Sequence, residues 1–136
     1  MDELSVLKCL VVDDYESMRL ILSADLRSLG VSKIDTAASG NEALEKIKKN
    51  LGTPTEYDIV FTDMNMPNGS GIDLARAIRA DLKNKDLPIL MISSIDEVSK
   101  MLDAVKAGIS DYITKPWSKD LLKTKIKSCL AKRSKK

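Results

Sequence analysis

With 136 residues, 43% of them hydrophobic and 31% charged, the chain has material for one core and one domain, in the ordinary soluble balance. No apolar run approaches a membrane span, and the start, Met1-Asp2-Glu3-Leu4, lacks the apolar stretch of a secretory signal, so a cytoplasmic protein is expected. The net charge of +2 divides into 14 basic against 19 acidic residues through Trp117 and 8 against 1 from Ser118 onward, and the absence of His leaves chemistry to carboxylates, hydroxyls and lysines.

Leu7 to Val12 is an apolar run interrupted only by Lys8, the pattern of a strand buried on both faces, and Asp13-Asp14 ends it. From Glu16 the period becomes helical, with Met18, Ile21, Leu22, Leu26 and Leu29 on one stripe and Gly30 placed to close it. Lys33 to Ala37 is a short second strand. Ser39-Gly40-Asn41-Glu42 has capping-box spacing before a helix carrying Ala43, Leu44 and Ile47, and Asn50 to Tyr57 is loop. Ile59-Val60-Phe61-Thr62 runs as a buried strand into Asp63, and Met64-Asn65-Met66-Pro67 and the turn Asn68-Gly69-Ser70-Gly71 follow. A helix from Ser70 to Leu82, the strand Pro88 to Ser93, and a helix opened by Ser94-Ile95-Asp96-Glu97 come next. That helix carries Val98, Met101, Leu102 and Val105, and Gly108 ends it. Asp111 to Thr114 is a fifth strand, broken by Lys115-Pro116-Trp117. The last helix runs from Ser118 with Leu121, Leu122, Ile126, Cys129 and Leu130 as its stripe. Cys9 and Cys129 lie inside apolar segments and read as small buried hydrophobes in a reducing compartment.

Strand and helix alternate five times with no hairpin signal, so an α/β fold is expected: a doubly wound parallel sheet with helices on both faces. Such sheets bind ligands beyond the carboxyl ends of their strands. Those ends carry Asp13 and Asp14, Asp63, Ser93 and Ser94, and Lys115. Three gathered carboxylates repel one another unless a cation neutralises them, and an all-oxygen site without His or Cys suits Mg²⁺. A hydroxyl and an ammonium beside one carboxylate are the parts phosphoryl transfer requires, with Asp63 as nucleophile, Ser93 as hydrogen-bond donor and Lys115 as counter-charge. Each residue alone has a plainer reading: Asp14 or Ser94 as a helix cap, Lys115 as a solvated side chain. Their placement at one sheet edge is what points to a site.

Leu10-Val11-Val12-Asp13-Asp14, Asp63-Met64-Asn65-Met66-Pro67 with Gly71, Ser93, and Tyr112-Ile113-Thr114-Lys115-Pro116 together resemble the response-regulator receiver domains, in particular the CheY-like single-domain response regulators. Ser93 and Lys115 follow Asp63 by 30 and 52 residues, in register with that pattern, and the likeness spans Leu4 to Lys132, with 133–136 as a basic tail. The resemblance implies a five-stranded sheet of order 2-1-3-4-5 with five helices. It implies phosphorylation of Asp63 by a histidine kinase, and Mg²⁺ held by Asp13, Asp14, Asp63 and the backbone carbonyl of Asn65. Lys115 would pair with the phosphoryl group, Ser93 and Tyr112 would act as the switch, and the acyl phosphate would be hydrolysed autocatalytically. Departures from the commonest pattern are Ser93 for Thr, Ser94 for Ala and Trp117 for Phe, and Asn65 and Ile95 stand where phosphoryl lifetime is tuned.

Output is expected through protein binding, with Lys106, Tyr112, Trp117, Lys119 and Lys123 on or near the face of the fourth helix, fifth strand and fifth helix. A flagellar motor switch is the partner the resemblance suggests, and a phosphate sink or a relay between kinases is the alternative. With only a short basic tail after Lys132, a receiver without an attached output domain is expected, as is a monomer without nucleic-acid or membrane partners. Of another class would be a small-molecule phosphatase working through an aspartyl phosphate, but Asn65 replaces the second acid of its Asp-x-Asp motif. A nucleic-acid binder using the basic last helix would need groove-reading elements and aromatics, which are 4% of the chain. The chain is therefore read as acting on its own Asp63 rather than as an enzyme.

Overall fold

The computed structural model describes residues 3–66, 70–82, 84–94 and 99–132. Pro67 to Gly69, Lys83, Ile95 to Val98 and the 133–136 tail lie outside them, and with them part of the expected turn after Asp63, the expected lifetime-tuning position Ile95 and most of the start expected for the fourth helix. A 3-10 turn, Glu3–Val6, leads into β1 (Lys8–Val12), α1 (Glu16–Ser28), β2 (Lys33–Ala37), α2 (Gly40–Asn50) and β3 (Ile59–Asp63). There follow α3 (Gly71–Ala80), β4 (Ile89–Ser93), α4 (Met101–Ala107), β5 (Asp111–Thr114) and α5 (Lys119–Ala131).

All five strands are parallel, in the order β2-β1-β3-β4-β5. The central strands β3 and β4 are buried at every residue, which is why they read as unbroken apolar runs, whereas the edge strands β2 and β5 are mostly half-exposed. Alternate residues feed two cores. Cys9, Val11, Ile59, Phe61, Leu90, Ile92 and Ile113 pack with Leu22 and Leu26 of α1 and Leu122, Ile126 and Cys129 of α5. Leu10, Val12, Val60, Ile89 and Met91 pack against α2, α3 and α4 on the other face. Register aligns the strand ends: Val12 pairs with Thr62, Asp63 with Ile92, and Ser93 with Thr114. The carboxyl ends of β1, β3, β4 and β5 therefore meet at one edge.

The helix caps show where local chemistry dictated the start. Ser70 and Asp73 form a complete capping box, each side chain accepting the other's backbone N–H. The box expected at α2 is only half formed: Ser39 Oγ accepts the Glu42 N–H, but Glu42 Oε1 accepts from Ala38, one residue further back. Ser118 caps α5 through the Leu121 N–H. Gly108 closes α4 in the left-handed region (φ 105°), and its carbonyl accepts two bonds from the Arg79 guanidinium on α3.

Several residues assigned to apolar stripes are not buried. Ile21 is 51% exposed, Leu102 65%, Val105 58% and Leu121 42%. On α4 the buried face is Met101, Ala104 and Ala107, so the helix is turned away from the phase that its larger side chains suggest. Both cysteines are buried free thiols in the same core.

Candidate functional site

Asp63 is the last residue of β3 and only 5% exposed. Its neighbours are stitched to it by backbone bonds that continue the sheet past the strand ends. Met64 N–H donates to the Ile92 carbonyl at 3.0 Å, and Lys115 N–H donates to the Ser93 carbonyl at 2.8 Å. The second bond holds Lys115 at the edge, where its Nζ reaches Asp63 Oδ1 at 2.9 Å. The Lys115–Pro116 peptide is cis. Gly71 N–H donates to the Met64 carbonyl, and a Cβ at Gly71 would lie 2.3 Å from the Asp63 carbonyl oxygen. Only glycine permits that approach.

Asp13 follows β1 and is also 5% exposed. Its N–H donates to the Ala37 carbonyl, its Oδ1 accepts the Tyr15 N–H at 3.0 Å, and its carbonyl accepts from Arg19 Nη1 at 2.7 Å. The capping alternative considered for Asp14 does not hold. Tyr15 is the N-cap of α1 without a side-chain bond, and Asp14 Oδ1 is buried with no hydrogen-bond partner among the described residues. One carboxylate oxygen from each of Asp13, Asp14 and Asp63 lies within 4.8 Å of the others. Burial pushes the Asp13 carboxyl up to about 6; the Tyr15 N–H opposes this, Asp63 adds to it, Lys115 opposes it and Asp14 adds to it.

This donor set fits a hard divalent cation. Among the described residues three carboxylates face one ammonium, and the buried Asp14 oxygen lacks the partner that a buried acceptor normally has. Above the acids is a pocket of about 480 Å³ lined by Asp14, Tyr15, Asp63, Asn65, Met66, Ser94 and Lys115. Asn65 is exposed at its rim. Ser93, the last residue of β4, is fully buried beside it, and its Oγ is likewise without a hydrogen-bond partner among the described residues. A larger cleft of about 1130 Å³ at the opposite edge, near Lys8, Asp35 and Tyr57, contains none of these groups.

The five residues expected on the output face are divided by the structure. Lys106 is exposed on α4, and Tyr112 on β5 is half-buried against the α2–α4 core. Trp117 instead packs on the α1–α5 core, its indole N–H donating to Asp25 Oδ2 at 2.8 Å, and Lys119 Nζ donates to Ser28 Oγ on α1. These two are thus tied to α1 as well. Lys123 is half-buried on α5. Sequence reasoning missed Lys125, whose Nζ pairs with Asp111 Oδ1 at 3.1 Å and lies 5.2 Å from the Tyr112 ring centre. Its spacing from Leu122 and Cys129, both buried on α5, was the available signal.

The structure is thus a doubly wound parallel α/β fold that gathers three aspartates, a buried hydroxyl and a lysine at the carboxyl edge of its sheet, where such folds bind their ligands. The chain belongs to the response regulator receiver domain family, which it matches over residues 9–127. It is 41% identical over 120 residues to chemotaxis protein CheY-3 of Vibrio cholerae, covering 88% of each chain. It is 38% identical over 120 residues to chemotaxis protein CheY of Pseudomonas aeruginosa, covering 88% of this chain and 93% of the relative. Among solved structures, chemotaxis response regulator CheY4 of V. cholerae matches with a TM-score of 0.76 at 32% identity, covering 90% of this chain and 98% of that one. A response regulator receiver domain from Clostridium thermocellum matches at 0.82 and 26%, covering 93% and 95%. Among the described residues no helix is long and apolar enough to cross a membrane.

Proposed function

We propose that this receiver takes a phosphoryl group on Asp63 from the phosphohistidine of a sensor kinase and signals by binding a protein partner in its phosphorylated form. The observation that carries this is the joint position of Lys115 Nζ, 2.9 Å from Asp63 Oδ1, and the Asp13–Asp14–Asp63 cluster with its orphaned Asp14 oxygen. An Asp63 oxygen forms the new O–P bond as the P–N bond to the kinase histidine breaks, and water later hydrolyses the acyl phosphate. Asp13, Asp14, Asp63 and the Asn65 carbonyl would hold Mg²⁺, which when bound neutralises charge on the phosphoryl oxygens. Lys115 supplies a second positive charge, and the buried Ser93 hydroxyl donates to a phosphoryl oxygen. As Ser93 turns to the phosphoryl group, Tyr112 moves into the space beside it, which alters the α4–β5–α5 face.

The reaction is confined to the chain's own Asp63, without turnover of a small-molecule substrate, in the cytoplasm. The chemotaxis names of the relatives support an output in chemotaxis, and a flagellar motor switch protein is the partner that this reading takes. The test is transfer from an autophosphorylated kinase. Label should pass to the wild type in Mg²⁺ and not to Asp63→Asn, and a motor switch protein should be retained on the beryllofluoride-treated chain more than on the untreated one. Equal labelling of both chains contradicts the phosphoryl site, and a partner indifferent to beryllofluoride contradicts the output.

A further inference from the structure

Tyr112 does not stand alone on the edge strand. The Asp111 carboxylate beside it accepts two bonds through Oδ1, one from the Tyr112 N–H at 2.8 Å and one from Lys125 Nζ at 3.1 Å. The same ammonium lies over the Tyr112 ring, 5.2 Å from its centre, within the range in which a cation is attracted to an aromatic face. The Asp111 and Lys125 side chains are 16% and 26% exposed, so solvent screens this triangle only in part. Burial alone would raise the Asp111 carboxyl, but the Tyr112 N–H and the Lys125 ammonium hold it below its ordinary value. The phase of α5 is in turn set by Leu122, Ile126 and Cys129, which are buried in the core. Lys125 is thus fixed at its root and paired at its tip.

We infer that Lys125 is a positioning residue for Tyr112, anchored by Asp111 so that its ammonium holds the ring at the rim and opposes its movement toward Ser93. The inference rests on the reading of Ser93 and Tyr112 as the switch. The two lie on neighbouring strands, where Met91 pairs with Tyr112 and Ser93 with Thr114. A ring that moves inward leaves the ammonium behind, so the resting arrangement is favoured by the lost contact. A ligand that stabilises the inward state must overcome that bias, and its apparent affinity falls accordingly. Removing the charge should therefore tighten binding of a phosphoryl mimic by about two- to fivefold, the range a partly exposed cation–ring contact supports.

The test is fluorine NMR of protein labelled with 3-fluorotyrosine, with the Tyr112 signal assigned by its loss in Tyr112→Phe. Wild type, Lys125→Met, Lys125→Gln and Lys125→Arg are compared in Mg²⁺ with and without beryllofluoride. In both neutral variants the Tyr112 signal without beryllofluoride should move part of the way toward the position of the beryllofluoride-treated wild type. Beryllofluoride affinity should rise about two- to fivefold in both, while Lys125→Arg stays with the wild type. Neutral variants with wild-type Tyr112 signals and wild-type affinity overturn the positioning role alone. A wild-type Tyr112 signal that ignores beryllofluoride overturns the switch reading and, with it, the role of Lys125.

Discussion

Lys115 Nζ lies 2.9 Å from Asp63 Oδ1, yet Asp13 and Asp14 bring two more carboxylate oxygens within 4.8 Å of the same acid. One ammonium does not balance three carboxylates, so the resting site keeps a negative excess that a dication offsets and an incoming phosphoryl group would worsen. The lysine is therefore expected to matter to the anion rather than to the metal.

Lys115→Met should separate the two. Removing a positive charge leaves Mg²⁺ affinity equal or higher, and removing the phosphoryl partner lowers beryllofluoride affinity by about tenfold or more. Isothermal titration of each ligand checks this. Parallel loss of both affinities would mean that Lys115 only supports the fold.

Asp13 should make the metal-free protein less stable at neutral pH. Burial raises its folded value from 3.8 to about 6. Its contribution to stability is then fully present below about pH 4 and lost as pH rises through about 6. Asp13→Asn can still accept the Tyr15 N–H and carries no charge. In EDTA it should be more stable than wild type by about 1–2 kcal/mol at pH 7, with the gap closing toward pH 4. Mg²⁺ should raise the unfolding midpoint of the wild type much more than that of the variant. Urea unfolding across this range decides it, and a variant less stable than wild type at pH 7 contradicts the assignment.

Gly71→Ala drives a methyl to 2.3 Å from the Asp63 carbonyl oxygen and 3.1 Å from Met91 Cε. The backbone must shift where it carries the acceptor aspartate. A loss of about 2–3 kcal/mol in urea unfolding is expected, together with weaker beryllofluoride binding in the fraction that stays folded.

Burial pushes both thiols, Cys9 and Cys129, up to about 12 from 9.0. At pH 8 neither should react with a thiol reagent in the folded protein, and both should react promptly in urea. The raised values also mean that their contribution to stability is present below about pH 9 and lost as pH rises toward 12. Rapid modification of the folded chain would show that one of them is reachable.

The placement of the site was legible because the information was local. An apolar run that ends in an acid fixes where a strand presents its carboxylate, and β3 ends at Asp63 as its sequence indicates. The phase of exposed helices was not legible in the same way. Leu102 and Val105 outrank alanine as core formers on α4, but α4 covers the sheet near its edge and buries Ala104 and Ala107 instead. Trp117 was assigned by its position after Lys115-Pro116, and a partner 92 residues away, Asp25, draws it to α1. The spacing of Lys125 from Leu122 and Cys129 places it on the inner side of α5, but its meeting with Tyr112 also depends on how α5 lies across β5.

Phosphorylation of Asp63 itself is tested most directly by intact-mass spectrometry after incubation with acetyl phosphate and Mg²⁺, with borohydride reduction to mark the acyl phosphate. One phosphoryl group should be added, Mg²⁺ should be required, and the reduced residue should map to Asp63, with no addition to Asp63→Asn. A wild type that gains no phosphoryl group, or an Asp63→Asn variant that gains one equally well, would contradict the assignment of Asp63 as acceptor.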